Sequence, residues 1–231
     1  YLNFFAELGA NFLNIQFTPL NVLIPVGISY YTLQQIAYLI DISSRNVEAE
    51  RSIINFAIYT SFFATILQGP ITRYAEVKDD IANLNAINLD NSIHGYERIL
   101  FGLFKKIVLA DRIAPAVNYL FNLHASVGSL TILAAGLCTV QLYMDFSGTV
   151  DISIGAAKIF GIHLPENFKQ PFFAKNATDF WHRWHMTLSR YLRDYVFYPI
   201  SLSRIMMGLS KYLKKHHCKW LAKVTGPIIA L

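Results

Sequence analysis

Three long stretches of this chain carry no charged side chain. No Asp, Glu, Lys or Arg occurs between Glu7 and Asp41, between Arg51 and Arg73, or between Arg112 and Asp145. A helix needs about 20 mainly apolar residues to cross the hydrocarbon core of a bilayer, and each stretch is long enough. Backbone in lipid must satisfy its own hydrogen bonds, which makes helices the expected form. Charged residues are 15% of the chain, against about 25% in soluble domains. A very buried soluble bundle has a similar composition, but not this clustering of the charge. The expected class is an all-α membrane protein.

The candidate spans are Asn21 to Ile40, entered through Pro25 and Gly27, then Ser52 to Leu67, ending at Gly69-Pro70, and Ser126 to Phe146. A break at Ser147-Gly148 is expected, with a further helix opening over Ile152 to Phe160. Val77 to Asn91 reads as an exposed loop with a short helix. Glu97 to Leu123 is apolar but interrupted by Lys105, Lys106, Asp111, Arg112 and Pro115, a pattern expected of an interfacial helix whose lysines snorkel to headgroups. Leu164 to Thr178, with Pro165 and Pro171, is expected to be irregular. Asp179 to Tyr198 reads as one helix, capped by Thr178 or Asp179 and stopped by Pro199.

The net charge of +5 is unevenly placed: from Lys158 onward there are twelve Lys or Arg and three acids. In an apolar chain this pattern reads as a topology signal and not as a nucleic-acid surface, and no nucleic-acid partner is expected. Arg204 to Lys223 has six basic residues and no acid, as cytoplasmic loops do. Cys138 and Cys218 are too few for a disulfide framework. Tyr1 to Phe5 resemble the middle of a sequence, and Val224 to Leu231 the opening of another apolar segment. Residues 1–231 are thus expected to form a single membrane-embedded domain, a fragment lacking N-terminal and C-terminal helices.

Chemistry concentrates in Phe180 to Pro199. On a helix, Trp181, Trp184, His185, Leu188, Leu192 and Tyr195 share one face, and Arg183, Thr187, Arg190 and Asp194 form a polar stripe. An imidazole beside such a stripe in or near a membrane points to function. The alternative is an interfacial tryptophan belt with a satisfied core histidine. His182 and His185 lack a third ligand at a helical offset, so no metal is expected. Gln141 and Asp145 share a helix face and line a polar path, or sit at the membrane surface. Arg73 is a membrane-end anchor or a contact for an anionic substrate. His216-His217 belongs to the basic loop.

The stretches QGPITRY (Gln68 to Tyr74), GLFKKIVLADRI (Gly102 to Ile113), QLYMDFSG (Gln141 to Gly148), PENFKQPF (Pro165 to Phe172) and Phe180 to Pro199 together resemble the MBOAT superfamily of membrane-bound O-acyltransferases. The similarity is greatest to its bacterial polysaccharide branch, which includes alginate O-acetylation proteins and the D-alanyl transfer protein of teichoic-acid modification. The DFSGxxD form, Asp145 to Asp151, is more like the alginate group. The resemblance implies a polytopic transmembrane helical bundle of MBOAT type, with interfacial or re-entrant helices, in the cell membrane. It implies no bound cofactor. An acyl thioester, acetyl-CoA or an acyl carrier, serves as co-substrate from the cytoplasm. The other partners implied are membrane lipid and an extracytoplasmic polysaccharide or relay acyltransferase protein.

His185 matches the family histidine in the RWH motif and is expected as general base on the acceptor hydroxyl. A histidine suits that task because its ordinary pKa, ~6.5, lies near working pH. Trp181, Arg183 and Trp184 match its neighbours, and Arg183 and Asp179 are expected to fix its surroundings. The family's second histidine sits in a later Trp-His-Gly-type motif that these residues lack, so the 231-residue chain alone is expected to be inactive. The rival expectations are D-alanyl transfer from a carrier protein and a non-catalytic conduit or transporter.

Overall fold

The computed structural model describes residues 27–84, 88–122, 128–204 and 207–208, and the regular elements among them are all helical. Helix α1 is Ile28–Ser43, α2 is Ile53–Ser61, and α3 is a single turn, Phe63–Ile66. After the Gly69-Pro70 corner, α4 covers Tyr74–Ala82. Helix α5, Leu89–Leu103, continues through a π-helical stretch, Phe104–Ala110, into α6, Asp111–Phe121. Helix α7, Gly128–Ile159, is followed by extended chain, then α8, Ala177–Trp181, and α9, Met186–Tyr191. A second π-helical stretch, Leu192–Phe197, leads into α10, Tyr198–Ser201.

Local chemistry explains the boundaries. The side chains of Ser52 and Asn88 accept the N–H groups of Asn55 and Asp90 at 3.3 and 3.0 Å, satisfying donors that an α-helix leaves open at its start. Helix α7 ends where Gly161 turns left-handed (φ 76°) and Ile162 N–H reaches back to the Ala157 carbonyl at 3.0 Å. Glycine permits that turn without a Cβ clash.

Two apolar clusters organise the helices. Tyr38, Tyr59, Tyr74, Val77 and Ile81 pack with Val150, Ile154 and Ala157 of α7. Beside Tyr38 on the same buried face of α1, Ala37 packs with Ile71, Tyr191 and Tyr195. Helix α1 is therefore the element shared by the α7 side and the α9 side.

Helices α5 and α7 approach closely at two glycine pairs. A Cβ on Gly102 would lie 2.6 Å from the Gly148 carbonyl oxygen, and one on Gly95 would lie 2.7 Å from that of Gly155. Small residues that let backbones meet are characteristic of helix pairs in membranes. Ser147-Gly148, expected as a break, is instead continuous helix at this crossing. The glycine serves contact, and the helix around it keeps its hydrogen bonds.

Among the described residues, one helix is long and apolar enough to cross a membrane, α7 with 32 residues. Only 6% of its most apolar stretch is buried within the protein. A core helix of a soluble domain would bury most of that surface within its own fold; among the described residues α7 does not.

Several expectations are corrected. The Ser52 to Leu67 span divides at Phe62, whose extended backbone (φ −61°, ψ 115°) separates α2 from α3. The Asn21 to Ile40 candidate is described only from residue 27, and α1 runs on to Ser43. The short helix expected within Val77 to Asn91 is the end of α4, and it is not all exposed, since Val77 and Ile81 are buried. Pro199 does not stop the last helix: helical backbone runs through it to Ser201, directly after the π-helical stretch. Most of Arg204 to Lys223, with His216, His217 and Cys218, and the run from Val224 lie outside the described residues.

Candidate functional site

The helix expected over Asp179 to Tyr198 breaks at the histidine. After α8 the chain turns, and His185 adopts a left-handed backbone, φ 45° and ψ 53°. The extended segment before the break holds it there. Lys169 N–H donates to the Arg183 carbonyl, and Met186 N–H to the Asn167 carbonyl, each at 2.9 Å. A left-handed non-glycine residue costs about 1–3 kcal/mol and persists only when its surroundings impose it. Here the Asn167 to Lys169 segment supplies the partners that a continuous helix would have supplied. The start of α8 is capped by Asn176, whose side chain accepts Asp179 N–H at 2.8 Å, and not by Thr178 or Asp179.

The break redistributes the expected faces. Trp184 stacks on Phe180 (5.6 Å between centroids) and meets Phe168 and Tyr143 edgewise or tilted. The His185 ring stands edge-on to Phe146, 4.8 Å between centroids. Its Nδ1 lies 3.0 Å from Oδ1 of Asn167. Burial among these rings lowers the pKa of His185 well below its ordinary value by desolvating the charged form. Trp181 touches only the rim of this cluster, edge-on to Phe180 at 5.6 Å between centroids, and is 59% exposed. With His182, Met186, Thr187, Arg190 and Arg193, it lines an open cavity of about 610 Å³. His185 is not on that cavity wall, although the next two residues are.

The polar stripe survives in part. Thr187, Arg190 and Asp194 all meet the segment that follows Gly69-Pro70. Ile71 N–H donates to Thr187 Oγ1 at 3.1 Å, Arg190 pairs with Glu76 at 2.7 Å, and Asp194 pairs with Arg73. Arg73 also lies over the Tyr195 ring, at 5.0 Å, and Tyr195 donates to Asp41 at 2.6 Å. Arg73 is therefore engaged in joining α4 to the α9 rod, and its charge is taken up there. Arg183 donates to Asp179 at 2.8 Å, and the same carboxylate accepts Lys175 N–H at 3.0 Å.

On α7, Asp145 pairs with Lys106, and Gln141 is half-buried one turn before it. Lys105 reaches Asp151 at 2.6 Å, and Arg98 bridges Asp151 and Glu166 at 3.0 and 2.6 Å. Both lysines thus hold α5 and its π-helical extension to α7, where headgroup contacts were expected. The π-helical stretch carries them together on adjacent positions. Among the described residues, no three His, Cys, Asp or Glu side chains gather as metal ligands.

The sequence model for "MBOAT, membrane-bound O-acyltransferase family" matches residues 43–213, a range that contains Arg73, Asp145, Asn167 and His185. The chain belongs to the MBOAT family. It is 35% identical over 188 residues to a probable alginate O-acetylase of Azotobacter vinelandii, covering 81% of this chain and 38% of that protein. It is 33% identical to a peptidoglycan O-acetyltransferase of Helicobacter pylori, covering 82% and 41%. To a teichoic acid D-alanyltransferase of Bacillus subtilis it is 32% identical, covering 78% and 46%. The chain thus spans about two fifths of the length of these MBOAT relatives.

Two groups in this MBOAT chain were not singled out from sequence. Asn167 is fully buried against His185; in the sequence it was visible only as one position of the PENFKQPF stretch, with no role attached to it. The Arg98, Asp151 and Glu166 bridge joins residues too far apart in the chain for any spacing rule to pair them.

Proposed function

We propose that the full-length protein is a multi-pass enzyme of the cell membrane that transfers an acetyl group to hydroxyls of a cell-surface polysaccharide. The observation that carries this reading is His185. A neutral, partly buried imidazole, imposed on a left-handed backbone by its neighbours, is suited to accept a proton. In the proposed step the acceptor hydroxyl gives its proton to the imidazole as its oxygen attacks the thioester carbonyl. The C–S bond then breaks and the thiolate leaves with the electron pair. Proton acceptors placed in this way contribute about 10²–10⁴-fold in rate. The chain's own contribution is the placement of that ring; Arg183, Asp179 and Trp184 hold the backbone and walls around it. Acetyl is favoured over D-alanyl by the names of the O-acetylating relatives and by the DFSGxxD form, Asp145 to Asp151.

The test uses full-length protein in sealed vesicles, offered labelled acetyl-CoA or a labelled D-alanyl carrier thioester together with acetylatable polysaccharide. Label should move from the acetyl donor. Transfer from the D-alanyl carrier alone would replace the substrate assignment, and correctly inserted protein that transfers neither would favour a conduit.

The donor side follows from charge. Six basic residues without an acid resist translocation, so Arg204 to Lys223 is expected in the cytoplasm. A membrane-impermeant thiol reagent should label Cys218 in inverted vesicles and spare it in intact cells, with Cys218→Ser as the blank. Labelling from outside would reverse the topology.

A further inference from the structure

Asn167 has 0% of its surface exposed, and its surroundings determine which nitrogen of His185 carries the hydrogen. Three groups converge on its side-chain oxygen: Thr187 N–H at 3.1 Å, the Thr187 hydroxyl at 3.0 Å and His185 Nδ1 at 3.0 Å. A backbone N–H can only donate, so the Asn167 atom that faces it is the oxygen and not the amide nitrogen. The Thr187 hydroxyl accepts from Ile71 N–H at 3.1 Å, which leaves its own hydrogen for Asn167. With the oxygen fixed as acceptor, Nδ1 of His185 must hold the hydrogen, and a neutral ring then has its lone pair on Nε2. The opposite tautomer would set two lone pairs against each other across the same 3.0 Å.

We propose that Asn167 is a positioning residue for His185: it fixes the imidazole as the Nδ1–H tautomer and presents Nε2 as the proton acceptor. The inference rests on the reading of His185 as the base.

The choice of an amide supports this role. The Nδ2 of Asn167 is buried with no acceptor among the described residues, which is unfavourable. An aspartate would accept the same three bonds and leave no donor unpaired. It would also put a full negative charge on the ring and favour the imidazolium, which accepts no proton. The nearby charges are already taken up: Arg183 by Asp179, Glu166 by Arg98, and Asp145 by Lys106. The amide is therefore the group that orients the ring without charging it.

Full-length protein labelled with ¹⁵N-histidine and placed in bilayers tests this directly by solid-state NMR, the His185 signals being those lost in His185→Asn. Nδ1 should be protonated and Nε2 bare near neutral pH; the reverse would overturn the proposal whatever any variant does. Asn167→Leu should lower kcat by at least about 10²-fold with KM within about twofold, as expected of a base in the wrong tautomer. Asn167→Asp should keep the Nδ1–H tautomer, recover part of kcat and move the acid limb of the rate profile to higher pH. Full kcat in Asn167→Leu beside an inactive His185→Asn would remove Asn167 and leave the base in place. A fully active His185→Asn would instead remove the base itself. If the leucine variant does not accumulate, the wild-type spectrum and the aspartate variant decide.

Discussion

Full-length protein carrying His185→Asn should lose about 10²–10⁴-fold of its acyl-transfer rate while inserting and accumulating normally. Asparagine is the informative replacement because of the backbone. His185 sits at φ 45° and ψ 53°, a region that asparagine enters more readily than other residues with a Cβ. His185→Ala would remove the imidazole and also strain the turn that places Met186 and Thr187, so its loss would mix two causes. Equal losses in the two variants would assign the effect to the ring. His94→Ala and His163→Ala are suitable controls: these rings are exposed, and pair with Glu97 and Asp80 at 3.0 and 3.1 Å on the protein surface. Both controls should stay within about twofold, since exposed pairs contribute only about 0–1 kcal/mol. Survival of His185→Asn within that same range would make the histidine a packing residue of the Phe146 and Trp184 cluster. The rate is measured as labelled acetyl transferred per inserted protein, which separates chemistry from expression.

The segments that build this site were legible as motifs, but their mutual geometry was not. QGPITRY, PENFKQPF and the RWH run were each visible, and the structure brings all three together through Ile71, Asn167 and Thr187. Helical periodicity placed Thr187, Arg190 and Asp194 on one stripe, and they do face one segment, because α9 and the stretch after it are helical. The same periodicity failed at Trp181 and His185. It assumes unbroken i to i−4 bonding, and two long-range bonds from the Asn167 to Lys169 segment replace that bonding here. Nothing in the local residues signals a competitor that is remote in sequence. Ser147-Gly148 misled for a related reason. Glycine lowers helix propensity locally, but the close approach of α5 rewards its missing side chain, and tertiary contact prevails over propensity. Arg73 was narrowed to anchor or anion contact, and neither anticipated Asp194, which is 121 residues away. The charge-free stretch from Arg112 to Asp145 located the apolar part of α7, the one helix among the described residues long and apolar enough to cross a membrane. The charge-free stretches could not show that Phe62 divides the second of them into two short helices, since an extended residue between apolar neighbours leaves the charge pattern unchanged.

Gly148→Ala should destabilise the protein by about 1–3 kcal/mol, the range found for overpacking a tight contact. Gly136→Ala, on the same helix, should be neutral or stabilise by up to about 1 kcal/mol. The two glycines differ only in what faces them. A Cβ at Gly148 would lie 2.7 Å from the Gly102 carbonyl oxygen and 3.0 Å from Lys105 Cβ. At Gly136 nothing among the described residues comes within 4 Å. The obstacle at Gly148 is backbone, which cannot swing aside as a side chain can, so α5 and α7 must separate. That separation also lengthens the Lys105–Asp151 bridge, now 2.6 Å, and the Lys106–Asp145 pair beside it. Partly buried charges that lose their partners add to the penalty. Thermal unfolding of the full-length protein in detergent measures the difference between the two variants. Gly102→Ala meets the Gly148 carbonyl oxygen at 2.6 Å and should behave like Gly148→Ala. The double variant should lose less than the sum, because the first substitution already moves the helices apart. Equal stability of Gly148→Ala and Gly136→Ala would show that the two helices do not meet at these glycines, and full additivity of the pair would show that the two positions do not share one contact.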